Sequence, residues 1–596
     1  MKKRMKKRLF VSAIITFAFA LSLCACSGGY EAISINYGTG ENSRGQVNDT
    51  FYYRNDCYVS GADPFVLYVD KKDDPVNGGY YYMYCSVSES YSPDALPDVQ
   101  CMGIGVYRSE DLKEWERAGD YDGYAVISKS GEWTKSDFWA PEVLAYKNEA
   151  GEPVYYMYYS ASTSSVRGSF DDMYLAVAQS LSPAGPFELI VSGTDKDGNA
   201  IGNASIFDVA KQYDAAGFSV IDAGIFQDGD ALYLTFAKQS DTRSPAYGRG
   251  TWGVKLKDPV TPDWSTFTCL TLPSYYETEE YPAGTLSVPV GKNKMEIEEV
   301  INEGQFIYRH NDRYYLTYSP YGFGNKGYCV MQAVSDSPLG PYKKIEIGKG
   351  NPVIDTVYSE IDSIAGPGHH CIVDIGGEPF SFYAKHANPS NFTDASLRLI
   401  GMDRLSFTTI EGQEVLAGNG PTESLQYAPE ILTGYRNLAK DATVTVKSGS
   451  GEEYLNDGLL TIQSSLQNRE FETNSATTIT LAFSEAVEVS SVMVYNSEDY
   501  YKAFSKIDRI AFWFEDKTEI NGKRYDCAAI EELAFPSSQY DLTKKTIEKG
   551  SAAVADFLPV KVNKITFTVS AKISDTDRRG NAYSTIGISE IVVLGK

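Results

Sequence analysis

A short pattern of aromatic and β-branched residues recurs five times along the first two thirds of the chain. Its copies begin at Tyr81, Tyr155, Leu232, Tyr314 and Pro379 and read YYMYCS, YYMYYS, LYLTFAK, YYLTYS and PFSFYAK. Each copy is rich in Tyr, Phe and Thr and follows a turn-forming stretch such as NEAGEP or QDGDA. This arrangement predicts that each copy is the second strand of a β-hairpin.

The spacing of the copies predicts the architecture of this part of the chain. They are separated by 74, 77, 82 and 65 residues, and no helical periodicity interrupts them. Units of this length with several strands are typical of propeller blades with generous loops. We therefore predict an all-β fold that begins with a five-bladed β-propeller over residues 51–425. The alternative is five unrelated hairpins in a protein with 44 tyrosines.

The strand before each aromatic strand contributes to a column of ionisable residues. With an apolar residue three positions on as the register (Val66, Val143, Ile225, Phe306, Ile372), the column holds Asp63, Ala140, Asp222, Glu303 and His369. The innermost strands of a propeller line its central channel, so equivalent positions converge on the axis. Bringing ionisable groups together in a low-dielectric site is costly, and the column therefore predicts a functional site.

Three carboxylates in one funnel have the chemistry that glycosidic cleavage requires. One carboxylic acid protonates the leaving oxygen, one carboxylate activates water, and a third neighbour separates the pKa values of the other two. The column itself shows only that acid/base hydrolysis is chemically possible.

At this point the sequence resembles glycoside hydrolase family 43, over roughly residues 50–425. The matching motifs follow the order of the family: GADPF at Gly61, WAPEV at Trp139, VIDAGIF at Val220, NEGQF at Asn302 and GPGHH at Gly366. The resemblance implies an enzyme that inverts the anomeric centre. It implies Asp63 as general base, Asp222 as the carboxylate that tunes pKa and orients the acid, and Glu303 as general acid. In these roles Asp63 must stay ionised, and the negative field of Asp222 is expected to raise the pKa of Glu303.

The resemblance implies further site residues. Trp139 matches a residue of the site wall that can stack on a sugar, Arg398 an arginine near the pKa-tuning acid, and His369 a histidine that faces one calcium ion at the propeller centre. The alternatives for these three are a core tryptophan, a plain ion pair and a hydrogen-bonded core histidine. No organic cofactor is implied. Two positions depart from the family: Glu142 stands where Asp is usual, and Gln305 where Pro is usual.

The propeller repeat stops near residues 418–426, and a second section follows. It runs from RNLAKDATVTVKSGSG at Arg436 to STIGISEIVVLGK, with ITLAFSEAVEVSSVMVYN between. These segments resemble the discoidin-like or coagulation factor F5/8 type C domain. The resemblance implies a β-sandwich, a discoidin-like jelly roll, over residues 436–596 that serves as a carbohydrate-binding module. A purely structural spacer is the alternative.

Residues 1–26 have the plan of a bacterial lipoprotein signal peptide. Six Lys and Arg residues within residues 2–8 precede an apolar run from Leu9 to Leu23, which is too short for a comfortable membrane span. The following LCAC resembles a lipobox, which implies that Cys26 is lipidated and that residues 27–50 form a polar tether. The protein is then exported and held at the bacterial cell surface by its lipid anchor alone. A plainly secreted protein is the alternative.

Composition limits which classes of ligand and which covalent links the chain is expected to have. Lys and Arg total 54 against 79 for Asp and Glu, and the net charge of −25 argues against nucleic acid. Four histidines leave little room for multi-His metal chemistry. Seven cysteines follow Cys26 without CxxC spacing, so most are expected to be small buried residues and not a disulfide framework.

The function expected from the sequence is inverting hydrolysis of a polysaccharide or oligosaccharide. The resemblance favours α-L-arabinofuranosidase or β-xylosidase activity. One alternative is a non-catalytic, glycan-binding surface lipoprotein. Another is a fructan-active enzyme on a related propeller, although the NDPNG type of motif expected there is absent.

Overall fold

The structure is a computed structural model of the 596-residue chain. It describes residues 30–55, 59–87, 103–165, 173–190, 192–194, 200–202, 205, 219–240, 250–273, 301–325, 327–357, 364–390, 397–466, 468–573, 576 and 584–596. The predicted signal peptide and its lipidation site Cys26 lie outside these residues.

Five antiparallel sheets follow one another along the chain and form the blades of a five-bladed propeller. Their strands are, in blade 1, Ala62–Val69, Tyr80–Ser86, Gly103–Ser109, Glu116–Arg117 and Tyr124–Ile127; in blade 2, Ser136–Lys147, Pro153–Ser162, Met173–Ser180 and Glu188–Leu189; in blade 3, Ser219–Asp228, Ala231–Ser240, Thr251–Asp258 and Thr261–Thr271; in blade 4, Asn302–His310, Arg313–Pro320, Met331–Ser335 and Lys343–Lys344; and in blade 5, Gly368–Ile375, Glu378–His386, Arg398–Ile410 and Gln413–Gly418. Each predicted aromatic strand is the second strand of its blade, as expected.

The blades close into a ring. The inner strand of each blade contacts the inner strand of the next, and the inner strand of blade 5 lies against that of blade 1. Tyr52–Tyr53, just before blade 1, pairs antiparallel with Gln426–Tyr427, just after blade 5. The two ends of the propeller are therefore joined by backbone hydrogen bonds. The prediction of an all-β, five-bladed propeller is confirmed.

Tyrosines fill the interfaces between neighbouring blades. Tyr84 and Tyr158 occupy equivalent places in the second strands of blades 1 and 2, and both are fully buried. Their hydroxyls donate to the carbonyls of Pro183 and Pro259 in the next blade, over 2.6 and 2.7 Å. A tyrosine buries a large apolar ring while its hydroxyl still finds a partner, which explains the recurrence of this residue type.

A separate sheet region follows the propeller. In the described residues its sheet runs in the order Ala32–Ser34, Lys523–Ile530, Arg509–Ile520, Ala552–Val569, Thr477–Asn496, Ile586–Gly595 and Arg436–Asn437, with Thr443–Val446 paired to Thr477–Asn496 and Phe471–Thr473 paired to Ile586–Gly595. Side chains alternate between its two faces. Val492 and Val494 enter its own core, whereas Met493 and Tyr495 pack with Leu425 at the propeller.

The segment before the propeller differs from the predicted tether. Ala32–Ser34 pairs in parallel with the strand Lys523–Ile530 of the C-terminal sheet, and the ring of Tyr30 lies 4.7 Å from that of Trp513. Ile33 and Ile35 pack against the core of the same region. The polar tether expected for residues 27–50 therefore belongs to the folded structure from residue 30 onward, because its alternating apolar residues find a sheet edge.

The remaining described elements are short. They are the strand pairs Ser192–Thr194 with Ala200–Gly202 and Tyr540–Asp541 with Thr546–Ile547, the strands Phe504–Ile507, Leu533–Ala534 and Ala571–Lys572, the α-helix Glu430–Thr433, and the 3-10 helices Leu438–Asp441, Glu452–Tyr454, Ser464–Leu466 and Ser537–Gln539. No helix within the described part of the chain has the length and apolar run that a membrane crossing needs. The five described cysteines form no disulfide, and four of them are buried.

Candidate active site

A β-bulge interrupts the inner strand of every blade at the same place. One extra residue on the inner strand lies between the members of each following pair: Ala62 and Phe65, Trp139 and Glu142, Ile221 and Gly224, Glu303 and Phe306, Gly368 and Cys371. The second residue of each bulge has a positive φ, namely Asp63 at 52°, Ala140 at 48°, Asp222 at 59°, Gly304 at 55° and His369 at 40°. Bulges re-aim side chains, and here five of them surround one axis.

The bulges correct the predicted column in blade 4. Four of its members hold the positive-φ place, but in blade 4 that place belongs to Gly304, and Glu303 lies one residue earlier. The prediction aligned the repeats on Phe306, whereas the strand pairing makes Ile307 the equivalent of Val66. Glycine adopts the left-handed backbone conformation with the least strain. In blade 4 Gly304 therefore takes the positive-φ place, and the acid Glu303 precedes it by one residue.

Serine hydroxyls at the ends of the second strands hold three of the bulges from the preceding blade. Ser86 accepts from the N–H of Ala140 over 2.8 Å, Ser160 from Asp222 over 2.9 Å, and Ser319 from His369 over 2.9 Å. Each serine lies opposite the first bulge residue of its own blade. A repeated serine therefore links one blade to the next and satisfies a buried amide.

Blade 3 has Ala237 at this position and lacks the hydroxyl. The next bulge amide, that of Gly304, donates instead to Oδ2 of Asp222 over 3.0 Å. The side-chain amide of Gln305 donates to the backbone carbonyl of Asp222. Asp222 is thus held at its N–H by Ser160, and at both its carbonyl and its carboxylate by the loop that carries Glu303.

Asp63 lies in a cationic and hydrogen-bonding environment. Ser86 Oγ donates to its Oδ2 over 2.6 Å, and Arg398 donates to its Oδ1 over 3.1 Å. Nδ1 of His369 lies 3.3 Å from the same Oδ1. Burial alone would raise the pKa of Asp63, but the charges of Arg398 and His369 and the Ser86 hydrogen bond outweigh it and lower that pKa. Asp63 is therefore an ionised carboxylate, as predicted.

Glu303 is shifted in the opposite direction. Its side chain is buried, and burial, followed by the negative charge of Asp63, raises the pKa of Glu303 to about 7. A hydrogen bond from Tyr328 and the charge of Arg398 oppose this rise. A carboxyl group with this pKa keeps its proton in mildly acidic water and can donate it to a leaving group.

The pKa of Asp222 is raised as well. Burial raises the pKa of Asp222 to about 7, and the charges of Glu303 and Asp63 add to this effect while His369 opposes it. The difference between the pKa values of Glu303 and Asp63 therefore does not have the cause that the sequence predicted. Burial and Asp63, more than a negative field from Asp222, raise the pKa of Glu303.

The model of the family described as glycosyl hydrolases family 43 matches residues 59–408, a range that contains all five bulges. The chain belongs to glycosyl hydrolase family 43. It is therefore a glycosidase that hydrolyses O-glycosyl bonds with inversion, using carboxylate catalysts. The alternative of a non-catalytic glycan-binding protein is set aside.

Three relatives illustrate the range of named activities. The chain is 24% identical over 355 residues to a beta-D-galactofuranosidase of Aspergillus niger, with 58% of this chain and 81% of that protein covered. It is 26% identical to a thermostable family-43 glycoside hydrolase of known structure, covering 63% and 99% of the two chains with a TM-score of 0.44. For an endo-1,4-beta-xylanase of Bacteroides thetaiotaomicron the identity is 22%, the coverage 61% and 97%, and the TM-score 0.41. Membership fixes the reaction class and leaves the sugar open.

The two predicted substrate-binding residues lie beside this family 43 site. Trp139 is half-buried, packs with Met173 and Ile221, and holds in blade 2 the bulge place that Glu303 holds in blade 4. Arg398 was expected near the pKa-tuning acid, but its hydrogen bond goes to the proposed base Asp63. Its guanidinium also lies over the ring of Phe323, 4.5 Å from the centroid, which fixes the side chain from a second side.

His369, the predicted metal-binding residue, lies against two of the carboxyl groups. Its Nδ1 lies 3.3 Å from Asp63 Oδ1 and 3.6 Å from Asp222 Oδ2. Calcium prefers about six to eight oxygen ligands, and within the described residues no three His, Cys, Asp or Glu side chains form a metal-binding group. These side chains do not by themselves fit a protein-ligated calcium. A calcium ion held mainly by water stays a prediction.

Two polar residues lie next to the bulges without joining the acids. Glu142 accepts a hydrogen bond from the N–H of Ile225 over 2.8 Å, and burial raises its pKa well above the usual value. A neutral Glu142 that links blade 2 to blade 3 has a structural role. His370 bonds through Nε2 to Thr317 Oγ1 over 2.7 Å, and burial lowers its pKa to about 3.

The predictions missed Ser86 and Tyr328. Ser86 is the last residue of the first aromatic repeat, and the recurrence of serine at the end of YYMYCS, YYMYYS and YYLTYS was a signal that could have revealed it. Tyr328 gives no such signal, because it lies outside the repeated strands. Its place is set by Gly368, where a Cβ would lie 2.4 Å from a carbon of the tyrosine ring.

Proposed function

We propose that Asp63 is the general base and Glu303 the general acid of an inverting hydrolysis. The observation that carries this proposal is the opposite pKa shift of the two buried carboxyl groups, lowered for Asp63 and raised to about 7 for Glu303. A base must be ionised and an acid protonated at the same pH. This pair satisfies both conditions in mildly acidic to neutral solution.

The proposed step is a single displacement at the anomeric carbon. Asp63 takes a proton from a water molecule while the water oxygen forms the new bond to the anomeric carbon. Glu303 gives its proton to the glycosidic oxygen as the bond from that oxygen to the anomeric carbon breaks. The products are a free sugar of inverted configuration and the released alcohol, and exchange of protons with solvent restores the two carboxyl groups.

Asp222 has a positioning role in this scheme. It contacts the acid loop through Gly304 and Gln305 and approaches the Nδ1 of His369. We propose that these contacts keep the acid at a fixed distance from the base, since bond cleavage and water attack occur on opposite faces of the sugar.

For the substrate we propose a non-reducing α-L-arabinofuranosyl or β-D-xylosyl unit. The named activity of the Aspergillus niger relative supports the furanoside. β-D-Galactofuranose has the ring stereochemistry of α-L-arabinofuranose and differs by one exocyclic hydroxymethyl group. The negative net charge of the chain also favours a neutral sugar over an acidic one.

A panel of 4-nitrophenyl glycosides tests this choice. The purified protein is incubated with the α-L-arabinofuranoside, the β-D-xyloside, the β-D-galactofuranoside and the β-D-galactopyranoside. The proposal expects the largest kcat/KM for the arabinofuranoside or the xyloside. A clear preference for either galactoside overturns the proposed sugar without affecting the reaction class.

For localisation we propose that Cys26 carries a lipid anchor. Only residues 27–29 separate Cys26 from Tyr30, whose ring packs on Trp513. Four residue steps span at most about 14 Å, so the anchor would hold the C-terminal sheet region close to the bilayer. Cys26→Ala should release a fully active protein into the medium, and membrane retention of that variant would refute the anchor.

We also propose that the C-terminal sheet region is the discoidin-like, F5/8 type C module and binds carbohydrate. Its support is the sequence resemblance and a hydrophobic core separate from those of the blades. The full chain carrying Glu303→Gln should be retarded in gels containing arabinoxylan, and saturating free arabinose should not abolish the retardation. Migration unaffected by the polysaccharide would instead favour a structural spacer.

A further inference from the structure

Ser86 makes two hydrogen bonds that together fix the direction of its proton. Its Oγ accepts from the N–H of Ala140 over 2.8 Å and lies 2.6 Å from Oδ2 of Asp63. An amide can only donate, and an ionised carboxylate can only accept. The single hydroxyl proton of Ser86 therefore points at Asp63. The short distance is typical of a charge-assisted O–H···O⁻ hydrogen bond.

The repeat supplies an internal comparison. Ser160 and Ser319 occupy the same position in blades 2 and 4 and accept from the next bulge amide in the same way. Within the described contacts neither of them donates to a carboxylate. Ser86 therefore combines the inter-blade link that all three share with a second bond that is particular to blade 1.

The bond from Ser86 completes the restraint of the Asp63 side chain. Oδ2 is held by Ser86, and Oδ1 is held by Arg398 over 3.1 Å. The residue is buried, and its φ of 52° is a conformation that a non-glycine residue keeps only when its surroundings enforce it. With both oxygens held from different blades, rotation of the carboxylate about its own axis is prevented.

We propose that Ser86 is a positioning residue for the general base of this enzyme. It transmits the fixed position of the Ala140 amide to the carboxylate plane of Asp63, so that the remaining lone pairs face the attacking water. The proposal rests on the proposed role of Asp63. A base that is misaligned costs transition-state stabilisation while ground-state sugar binding remains, so the effect belongs in kcat and not in KM.

The size of the effect follows from the kind of bond. Hydrogen bonds to charged groups contribute about 1.5–3 kcal/mol, and each 1.36 kcal/mol of activation free energy is a factor of ten in rate. Ser86→Ala should therefore lower kcat by about tenfold to a hundredfold and change KM by less than about threefold. Ser86→Thr keeps the hydroxyl and should retain at least about a third of the wild-type kcat.

Tyr84→Phe is the matched control. It removes an inter-blade hydrogen bond at the same boundary between blades 1 and 2, from the Tyr84 hydroxyl to the carbonyl of Pro183, without touching a carboxylate or the His369 bulge. It should lower the melting temperature about as much as Ser86→Ala, while its kcat stays within about threefold of wild type. Should Ser86→Ala fail to fold, Ser86→Cys has the same shape with a weaker donor and gives the same comparison.

The experiment measures kcat, KM and melting temperature of the full chain and these variants, with the 4-nitrophenyl glycoside that the wild type hydrolyses fastest. Asp63→Asn is measured in the same series. If Asp63→Asn is inactive and Ser86→Ala retains wild-type kcat, the positioning role is overturned and the role of Asp63 stands. Equal losses of kcat in Ser86→Ala and Tyr84→Phe would also overturn it, because the loss would then be structural. A fully active Asp63→Asn would overturn the proposed function itself.

Discussion

The backbone N–H of Gly304 donates a hydrogen bond to Oδ2 of Asp222 over 3.0 Å. It connects the loop of the proposed acid to the neighbouring carboxylate across the boundary between blades 3 and 4. At three of the other four blade boundaries, a serine of the preceding blade accepts from the equivalent amide, as Ser160 does for Asp222. At the boundary after blade 3, Ala237 stands in place of the serine. The N–H of Gly304 therefore donates to the carboxylate of Asp222.

Ala237→Ser should therefore weaken catalysis by adding a competing acceptor. The new hydroxyl would lie where Ser160 and Ser319 hold the bulge amide of the next blade, and it would draw the N–H of Gly304 away from Asp222. We expect kcat to fall by about tenfold, the value of one buried hydrogen bond, with little change in KM.

Steady-state kinetics of Ala237→Ser and Ala237→Gly check this expectation. The glycine variant disturbs the same packing without supplying a hydroxyl and should keep a higher kcat than the serine variant. Wild-type kinetics in Ala237→Ser, or a larger loss in Ala237→Gly, would show that the missing serine has no bearing on Asp222.

The pH dependence of kcat/KM should follow the two opposite pKa shifts. Asp63 must be ionised, so activity is lost as the pH falls through its pKa, which lies below the usual 3.8. Glu303 must be protonated, so activity is lost as the pH rises through about 7. Initial rates from pH 3 to 9, at substrate concentrations well below KM, measure both limbs.

Tyr328→Phe tests whether the alkaline limb of the pH profile reports the titration of Glu303. The Tyr328 hydroxyl lowers the pKa of Glu303 by hydrogen bonding to its charged form. Its removal should move the alkaline limb to higher pH while the acid limb stays in place. An unmoved alkaline limb in this variant would assign that limb to a group other than Glu303.

Thermal stability should respond in opposite directions to the neutralisation of the two carboxyl groups. The pKa of Glu303 is raised in the folded state, so its contribution to stability is full below the usual 4.5 and is lost as the pH rises through about 7. Glu303→Gln should therefore melt at a higher temperature than wild type at pH 8.5, with a smaller difference at pH 5. The pKa of Asp63 is lowered, so its contribution is present above 3.8.

Asp63→Asn should accordingly melt below wild type throughout pH 5 to 8.5, because the amide cannot replace the charge that Arg398 and His369 face. Differential scanning calorimetry at the two pH values compares the variants with wild type. A Glu303→Gln variant that is less stable than wild type at pH 8.5 would contradict the raised pKa.

The fold was predictable because its signal is repeated. Copies such as those at Tyr81 and Tyr155 end in the same serine, and the five copies recur at nearly constant spacing. This recurrence was enough to predict five blades. The segment around Ile33 was not predictable in this way. Its strand pairs with residues 495 positions later, and only the folded C-terminal sheet provides the edge that it joins.

The site was predictable as a set of residues but not as an arrangement. Asp63, Asp222 and Glu303 come together at bulges around the propeller axis as the column indicated, although Glu303 lies one residue outside the column. The pairing of Arg398 with Asp63 depends on which side chain faces which across the boundary of blades 5 and 1. Burial, the largest cause of the raised pKa of Glu303, exists only in the folded chain.

The division of labour between Asp63 and Glu303 is tested most directly by the leaving group. The acid assists departure of the glycosidic oxygen, and a good leaving group such as 2,4-dinitrophenolate needs little of that assistance, whereas the base is needed for every substrate. The measurement compares kcat/KM of wild type, Asp63→Asn and Glu303→Gln on the 2,4-dinitrophenyl glycoside and on the methyl glycoside of the same sugar.

The assignment predicts that Glu303→Gln loses several orders of magnitude on the methyl glycoside and much less on the dinitrophenyl glycoside. Asp63→Asn should lose a similar, large factor on both. The opposite pattern, with the dinitrophenyl substrate rescuing Asp63→Asn and not Glu303→Gln, would contradict the assignment of base and acid.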